Sequence, residues 1–117
     1  DERTLKEYYL KVFEIVLKYS NPTSVMCSYN KLNGIHASDH KELLTDILRG
    51  EWGFGGVVST DWHTHSEHYR EVKAGNDIKM PGGFPERLML ALENGALTRN
   101  DLEICAKRVL ELLLRLA

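Results

Sequence analysis

From Leu5 onward, apolar side chains return at Tyr8 or Tyr9, Val12, Phe13, Val16 and Leu17. That period winds a single stripe along a helix and predicts that the stripe is buried. Asn21-Pro22 stops the helix. Residues 24–29, SVMCSY, are short, mostly apolar and rich in strand formers, so they predict a buried strand. Residues 30–38 read as a loop containing Asn33-Gly34. Asp39, with Glu42 three positions on, has the form of a capping box opening a second helix. Leu43, Leu44, Ile47 and Leu48 give that helix its inner face, and the glycines at 50, 53, 55 and 56 end it.

Residues 57–60, VVST, predict a second strand, with Asp61 at its C-terminal end. A short helix over 66–74 follows, closed by Gly75. Residues 78–80, IKM, predict a weak third strand, and 81–83 a turn. Two helices finish the pattern, over 85–93 and 98–116, separated by Asn94-Gly95. Thr98 caps the last one, with Asp101 in its first turn. Its buried face is expected to carry Leu102, Cys105, Ala106, Val109, Leu113 and Leu116. Strands alternating with helices mean an α/β fold with a parallel sheet. Three parallel strands leave open edges, and a closed eight-stranded barrel needs roughly 200 residues or more. The expectation is a partial (β/α) barrel of about three parallel strands and flanking helices, a single segment over 1–117 with no repeat or linker.

Composition narrows the partners. The chain has 117 residues and a formal net charge of −2, so bulk charge holds neither nucleic acid nor an anionic membrane. No apolar run approaches the roughly 20 residues of a membrane span, and no basic-then-apolar leader is visible at the N-terminus. Cys27 and Cys105 both sit in apolar surroundings, which points to buried thiols in a reducing, cytoplasmic setting.

Ligands of such sheets bind at the carboxyl ends of the strands. The three ends offer Tyr29 and Asn30, then Asp61, Trp62 and His63, then Met80, Pro81 and Gly82. Asp61 is the only carboxylate placed directly on a strand end. Trp62 beside it presents a flat apolar face of the kind sugar rings pack on. A Tyr29 hydroxyl from the neighbouring strand is placed to hydrogen-bond the carboxylate and favour its charged form. Carboxylate, aromatic face and hydroxyl together fit glycoside chemistry. A plainer account of each exists: Asp61 as the N-cap of the next helix, Tyr29 as a rim aromatic, Trp62 as packing. A competing constellation is His63, His65 and His68, with Glu67 among them, which has the spacing of a metal-dependent hydrolase site. That site needs further ligands from later strands, where only Asp77 is offered. His36 and His40 read as surface residues. Glu51 and Trp52 fall at the face opposite the site, and Asp77 reads as a structural hydrogen-bonding residue.

Four blocks extend the picture. Residues 24–34, SVMCSYNKLNG, residues 43–61, LLTDILRGEWGFGGVVSTD, residues 74–81, AGNDIKMP, and the helix from Glu2 to Tyr9 resemble, in order, segments of glycoside hydrolase family 3. The resemblance covers nearly the whole chain. It implies the later part of a (β/α)8 catalytic barrel of a β-glucosidase-like enzyme. It further implies retaining hydrolysis of terminal β-linked glucose or a similar sugar through a covalent glycosyl-enzyme intermediate, without cofactor or metal. By the resemblance Asp61 is the nucleophile, and Tyr29 and Trp62 contact the sugar. Thr60 stands where the family commonly has Ser, a mild departure. The family's Lys-His pair and Arg that hold sugar hydroxyls have no equivalent here, nor does the acid/base Glu that many members take from a second domain. The implied partners are therefore a carbohydrate substrate, the remainder of the barrel and that second domain, with self-association of the isolated piece. A second reading is a folded half-barrel that associates without catalysing anything, and a lesser one is the histidine-bound metal hydrolase.

Overall fold

The computed structural model describes residues 1–117. The N-terminal helix is interrupted: α1 (Glu2–Thr4), a π-helical turn (Leu5–Tyr9) and α2 (Lys11–Ser20), stopped by Asn21 at φ 46°. β1 (Ser24–Met26) follows, then a small hairpin of β2 (Lys31–Leu32) and β3 (Ile35–His36). A 3-10 turn (Ala37–Asp39) leads into a π-wound helix, Glu42–Glu51, and then β4 (Val57–Ser59). α3 (His68–Ala74), α4 (Pro85–Glu93) and α5 (Arg99–Leu116) complete the chain.

β1 and β4 pair in parallel, Ser24 opposite Val57, Val25 opposite Val58 and Met26 opposite Ser59. The third strand is reduced to one parallel bridge, Ser59 to Ile78, on the far side of β4. Backbone bonds from Asp77 N to Val58 O (2.8 Å) and Thr60 N to Ile78 O (2.9 Å) continue that seam. Gly56 lets β1 and β4 approach, since a Cβ there would stand 2.2 Å from the Thr23 carbonyl oxygen. The apolar centre joins Cys27, Leu44, Leu48, Phe54, Val58 and Ala74. The molecule is a slab of 41 × 39 × 23 Å, and no helix is long and apolar enough to cross a membrane.

Several sequence expectations hold. Leu44, Ile47 and Leu48 are buried, α4 spans the expected residues, and Thr98 and Asp101 form a reciprocal capping box on α5. Others are corrected. The α2 stripe is not covered: Val12 is 65% exposed, Phe13 60% and Val16 51%. On α5 only Cys105 is buried, with Leu113 and Leu116 in solvent. The ladder of the first strand stops at Met26, and of residues 24–29 only Cys27 is buried, because β1 has a neighbour on one side alone. The expected loop over 30–38 contains a hairpin instead. Asn33 at φ 51° and Gly34 at φ 84° turn it, both in the left-handed region that two-residue hairpin turns require. The Asp39 capping box does not form. Buried His40 takes the role, its Nδ1 accepting from Leu43 N at 3.3 Å, and Asp39 Oδ1 is left buried without a partner.

Candidate active site

Asp61 inherits its place from β4. Thr60 just before it is almost fully buried; its backbone N–H donates to Ile78 O at 2.9 Å and its Oγ1 accepts from Met80 N at 2.9 Å. The chain is thus anchored on the third-strand side immediately before the half-buried Asp61 leaves the sheet. Asp61 does not cap the next helix: α3 begins at His68, and Asp61 Oδ1 accepts from Trp62 N at 2.7 Å. The ends of β1 and β4 meet here, because the Tyr29 hydroxyl donates to the Trp62 carbonyl. The Trp62 amide thus donates to the Asp61 carboxylate, and the Tyr29 hydroxyl, bonded to Trp62 O, lies against the same carboxylate. Loss of solvent, and then the neighbouring Asp61 carboxylate, hold the Tyr29 phenol above its usual range. Trp62 and Tyr29 stay about half exposed beside Asp61.

The three histidines do not converge. His63 lies edge-on to Trp62, ring centroids 6.2 Å apart, and His65 is 6.4 Å from the ring of His36. His68 is buried with its Nδ1 accepting from Phe84 N at 3.2 Å. Burial, then the charges of Lys79 and Arg87, push the His68 pKa down. No three metal-ligating side chains come together anywhere in the chain. His63 adopts φ 54°, a left-handed conformation that costs a non-glycine residue roughly 1–2 kcal/mol. The turn just after Asp61 is thus held in place by something other than its own preference.

Part of that support is a buried polar cluster absent from the sequence reading. Glu71 is fully buried, and its Oε2 accepts from Lys79 Nζ at 2.7 Å. Thr64 Oγ1 donates to Glu71 Oε1 and accepts from Lys79 Nζ, closing a triangle. Behind it, Asn76 donates to Ser38 O at 2.6 Å and to Glu71 O at 3.0 Å, and its Oδ1 accepts from the Cys27 thiol at 3.1 Å. The signal was present in two places: Glu71 sits on the inward face of α3 with His68 and Ala74, and Lys79 stands between Ile78 and Met80 in a strand-like run. A charge in each of two apolar positions is the mark of a buried pair.

Lower on the sheet, Asp77 accepts from Val58 N at 2.9 Å, from Arg49 Nη2 at 2.7 Å and from Arg108 Nη1 at 3.1 Å, with its side chain fully buried. This agrees with its reading as a structural residue. Arg49 also donates to Gly56 O at 2.8 Å, tying the loop before β4. Glu51 pairs with Lys6 at 2.8 Å, away from Asp61. An apolar concavity of about 450 Å³ lies elsewhere, between α2, β1 and the 42–51 helix. Its lining is mostly apolar and carries no carboxylate, so it is an uncovered core face rather than a reaction site.

Comparison with known proteins bears on this geometry. The family model for the glycosyl hydrolase family 3 N terminal domain matches residues 1–112. Beta-glucosidase A of Butyrivibrio fibrisolvens is 52% identical over 102 residues, which is 87% of this chain and 12% of that protein. An exo-alpha-(1->6)-L-arabinopyranosidase of Bifidobacterium longum is 36% identical over 94% of this chain and 15% of its own length. Beta-glucosidase 3B from Thermotoga neapolitana, solved in complex with alpha-D-glucose, superposes with a TM-score of 0.92 at 41% identity, covering 97% of this chain and 17% of that one. The chain spans less than a fifth of the relatives it matches. With a match over almost its full length to the family model, and with an α/β fold shared with solved β-glucosidases, this chain belongs to glycosyl hydrolase family 3.

Proposed function

We propose that this segment supplies the nucleophile of a retaining β-glucosidase, with Asp61 as the attacking carboxylate. The observation that carries the reading is the position of Asp61: half-buried, at the carboxyl end of a buried strand, between two exposed aromatics. An Asp61 oxygen attacks the anomeric carbon of a terminal β-linked glucose. The glycosidic C–O bond breaks, and the leaving oxygen takes its electron pair and a proton from an acid outside this chain. Water then attacks the same anomeric carbon and gives its proton to the conjugate base of that acid; the bond to Asp61 breaks, releasing glucose and restoring both carboxyl groups. Trp62 offers the apolar face for the sugar ring, and Tyr29 braces the turn through Trp62 O. The β-glucosidases among the relatives favour glucose. The exo-alpha-(1->6)-L-arabinopyranosidase among the relatives adds a terminal pentopyranose as the other sugar to test.

In this proposal the segment forms the later part of the family's barrel. The rest of the barrel and a second domain bearing the acid/base complete the site. The exposed faces of α2 and β1 support that arrangement, because they are apolar and lie where an earlier strand and helix would pack. The isolated chain is then catalytically silent and self-associates. The test is a 2-fluoro-glucoside applied to the full-length protein that carries this segment. Peptide mapping should find the label on Asp61; a label on another carboxylate overturns the assignment. Chelator should leave turnover unchanged, whereas loss restored by zinc would promote the histidines.

A further inference from the structure

The turn from Asp61 to Thr64 carries the attacking group, yet its backbone includes a left-handed non-glycine residue, His63. It therefore needs external restraint. One end is tied at Thr60, through Ile78 O and Met80 N. A longer bond, His63 N to Met80 O at 3.4 Å, reaches the middle. The far end is tied only by side chains: the Thr64 hydroxyl between Glu71 and Lys79. Both charged partners are almost completely removed from water, with Lys79 5% exposed and Glu71 0% at the side chain. A hydroxyl inserted into a dry ion pair is held far more rigidly than one on a surface, because the alternative is unsatisfied buried charge.

We propose that Thr64, Glu71 and Lys79 form a positioning unit that fixes the orientation of Asp61 through the Asp61–Thr64 turn. None of the three needs to touch the sugar. Glu71 comes from α3 and Lys79 from the third-strand segment, so the unit also locks the helix to the sheet beneath the site. The inference rests on the reading of Asp61 as nucleophile. It adds a determinant of rate that family membership does not supply.

The decisive variant is Thr64→Val, which removes the hydroxyl at constant shape and leaves the Glu71–Lys79 pair intact at 2.7 Å. In the full-length protein, the rate constant for labelling of Asp61 by a saturating 2-fluoro-glucoside is measured below the unfolding transition. A drop of about tenfold is expected, within the range that small misplacements of a reacting group produce. The half-saturating concentration should not change, and Thr64→Ser should recover most of the rate. Lys79→Met should slow labelling at least as much. Labelling of Thr64→Val at the wild-type rate overturns the proposal, and so does failure of Thr64→Ser to recover. Wild-type protein that labels elsewhere than Asp61 overturns the nucleophile reading and this inference together, whereas Asp61 labelling that ignores Thr64 overturns this one alone.

Discussion

β1 and β4 are both three-residue strands with an apolar middle, paired in register, yet their surroundings are opposite. β4 has β1 on one side and Ile78 on the other, with the 42–51 helix and α3 packed over it; Val57 is 2% exposed and Val58 0%. β1 has one neighbour, Met26 is 63% exposed, and α2 beside it turns Val12, Phe13 and Val16 to solvent. The difference teaches that an apolar pattern fixes which face of an element is meant for a core. Whether that face is covered depends on what lies opposite. The candidate site follows the covered side: Asp61 leaves β4, and the buried polar groups next to its turn lie between β4, α3 and residues 76–79.

The sharpest test of that asymmetry is chemical. Asp61→Ala in the full-length protein should lower turnover of an aryl β-glucoside by on the order of 10⁴-fold or more, the scale on which removal of a covalent nucleophile acts. Steady-state kinetics decide it, and thermal unfolding should be unchanged because Asp61 bonds only to its own neighbour's amide. Next in size is the covered side's charge cluster. Asp77→Ala leaves Arg49 and Arg108 facing each other without their shared acceptor and should cost about 3–5 kcal/mol. Urea unfolding of the 117-residue chain followed by circular dichroism measures this, and a cost under 1 kcal/mol would mean the cluster is hydrated.

A matched pair of truncations compares the two sides directly. Leu44→Ala, in the apolar centre, should cost about 2–5 kcal/mol. Val16→Ala, on the open α2 face, should stay within about 0.5 kcal/mol in the same chain. Both are measured at dilutions where light scattering finds monomer, since self-association covers α2; equal costs there would show that the α2 face is buried within the chain itself. The smallest effect is a pH dependence. His68 has a folded-state pKa below its ordinary 6.5, so the unfolded chain takes up its proton first as pH falls. Its contribution to stability is complete above pH 6.5 and is lost as pH falls from there through the folded-state value. The acceptor bond from Phe84 N disappears with protonation. His68→Asn, which keeps an acceptor without the titration, should flatten the unfolding midpoint between pH 7.5 and 5.5.

Local signals carried the reading wherever structure is locally decided. Pro85 at the head of α4, Thr98 with Asp101 on α5, Gly75 after α3 and Asn21 after α2 mark boundaries through their own backbone chemistry. Asp61, Tyr29 and Trp62 were legible as neighbours because parallel strands place their carboxyl ends together. Asn33-Gly34 also announced its turn, but the flanking strands are two residues each, too short to show alternation. The Asp39 cap failed because a 3-10 turn occupies 37–39 and the helix starts at Glu42, so His40 Nδ1, not Asp39, accepts from a first-turn amide, that of Leu43. The triangle of Thr64, Glu71 and Lys79 joins residues from a turn, a helix and a strand, and no window of sequence displays a contact across 15 positions. The exposure of α2 was likewise beyond reach, since periodicity describes one surface and burial requires two.

The pairing at Asp77 also sets an order of events during synthesis. Its two guanidinium partners lie on either side of it in the chain, Arg49 28 positions before and Arg108 31 positions after. A nascent chain that has emerged through β4 and α3 can seat Arg49 but leaves one carboxylate oxygen unanswered. Only when α5 clears the ribosome does the acceptor receive its second cation, and Cys105 its bond to the Asn76 carbonyl oxygen. Until then the sheet end that carries Asp61 stands on an incomplete foundation. Chains cut short before Arg108 are accordingly the ones a quality-control protease would find open.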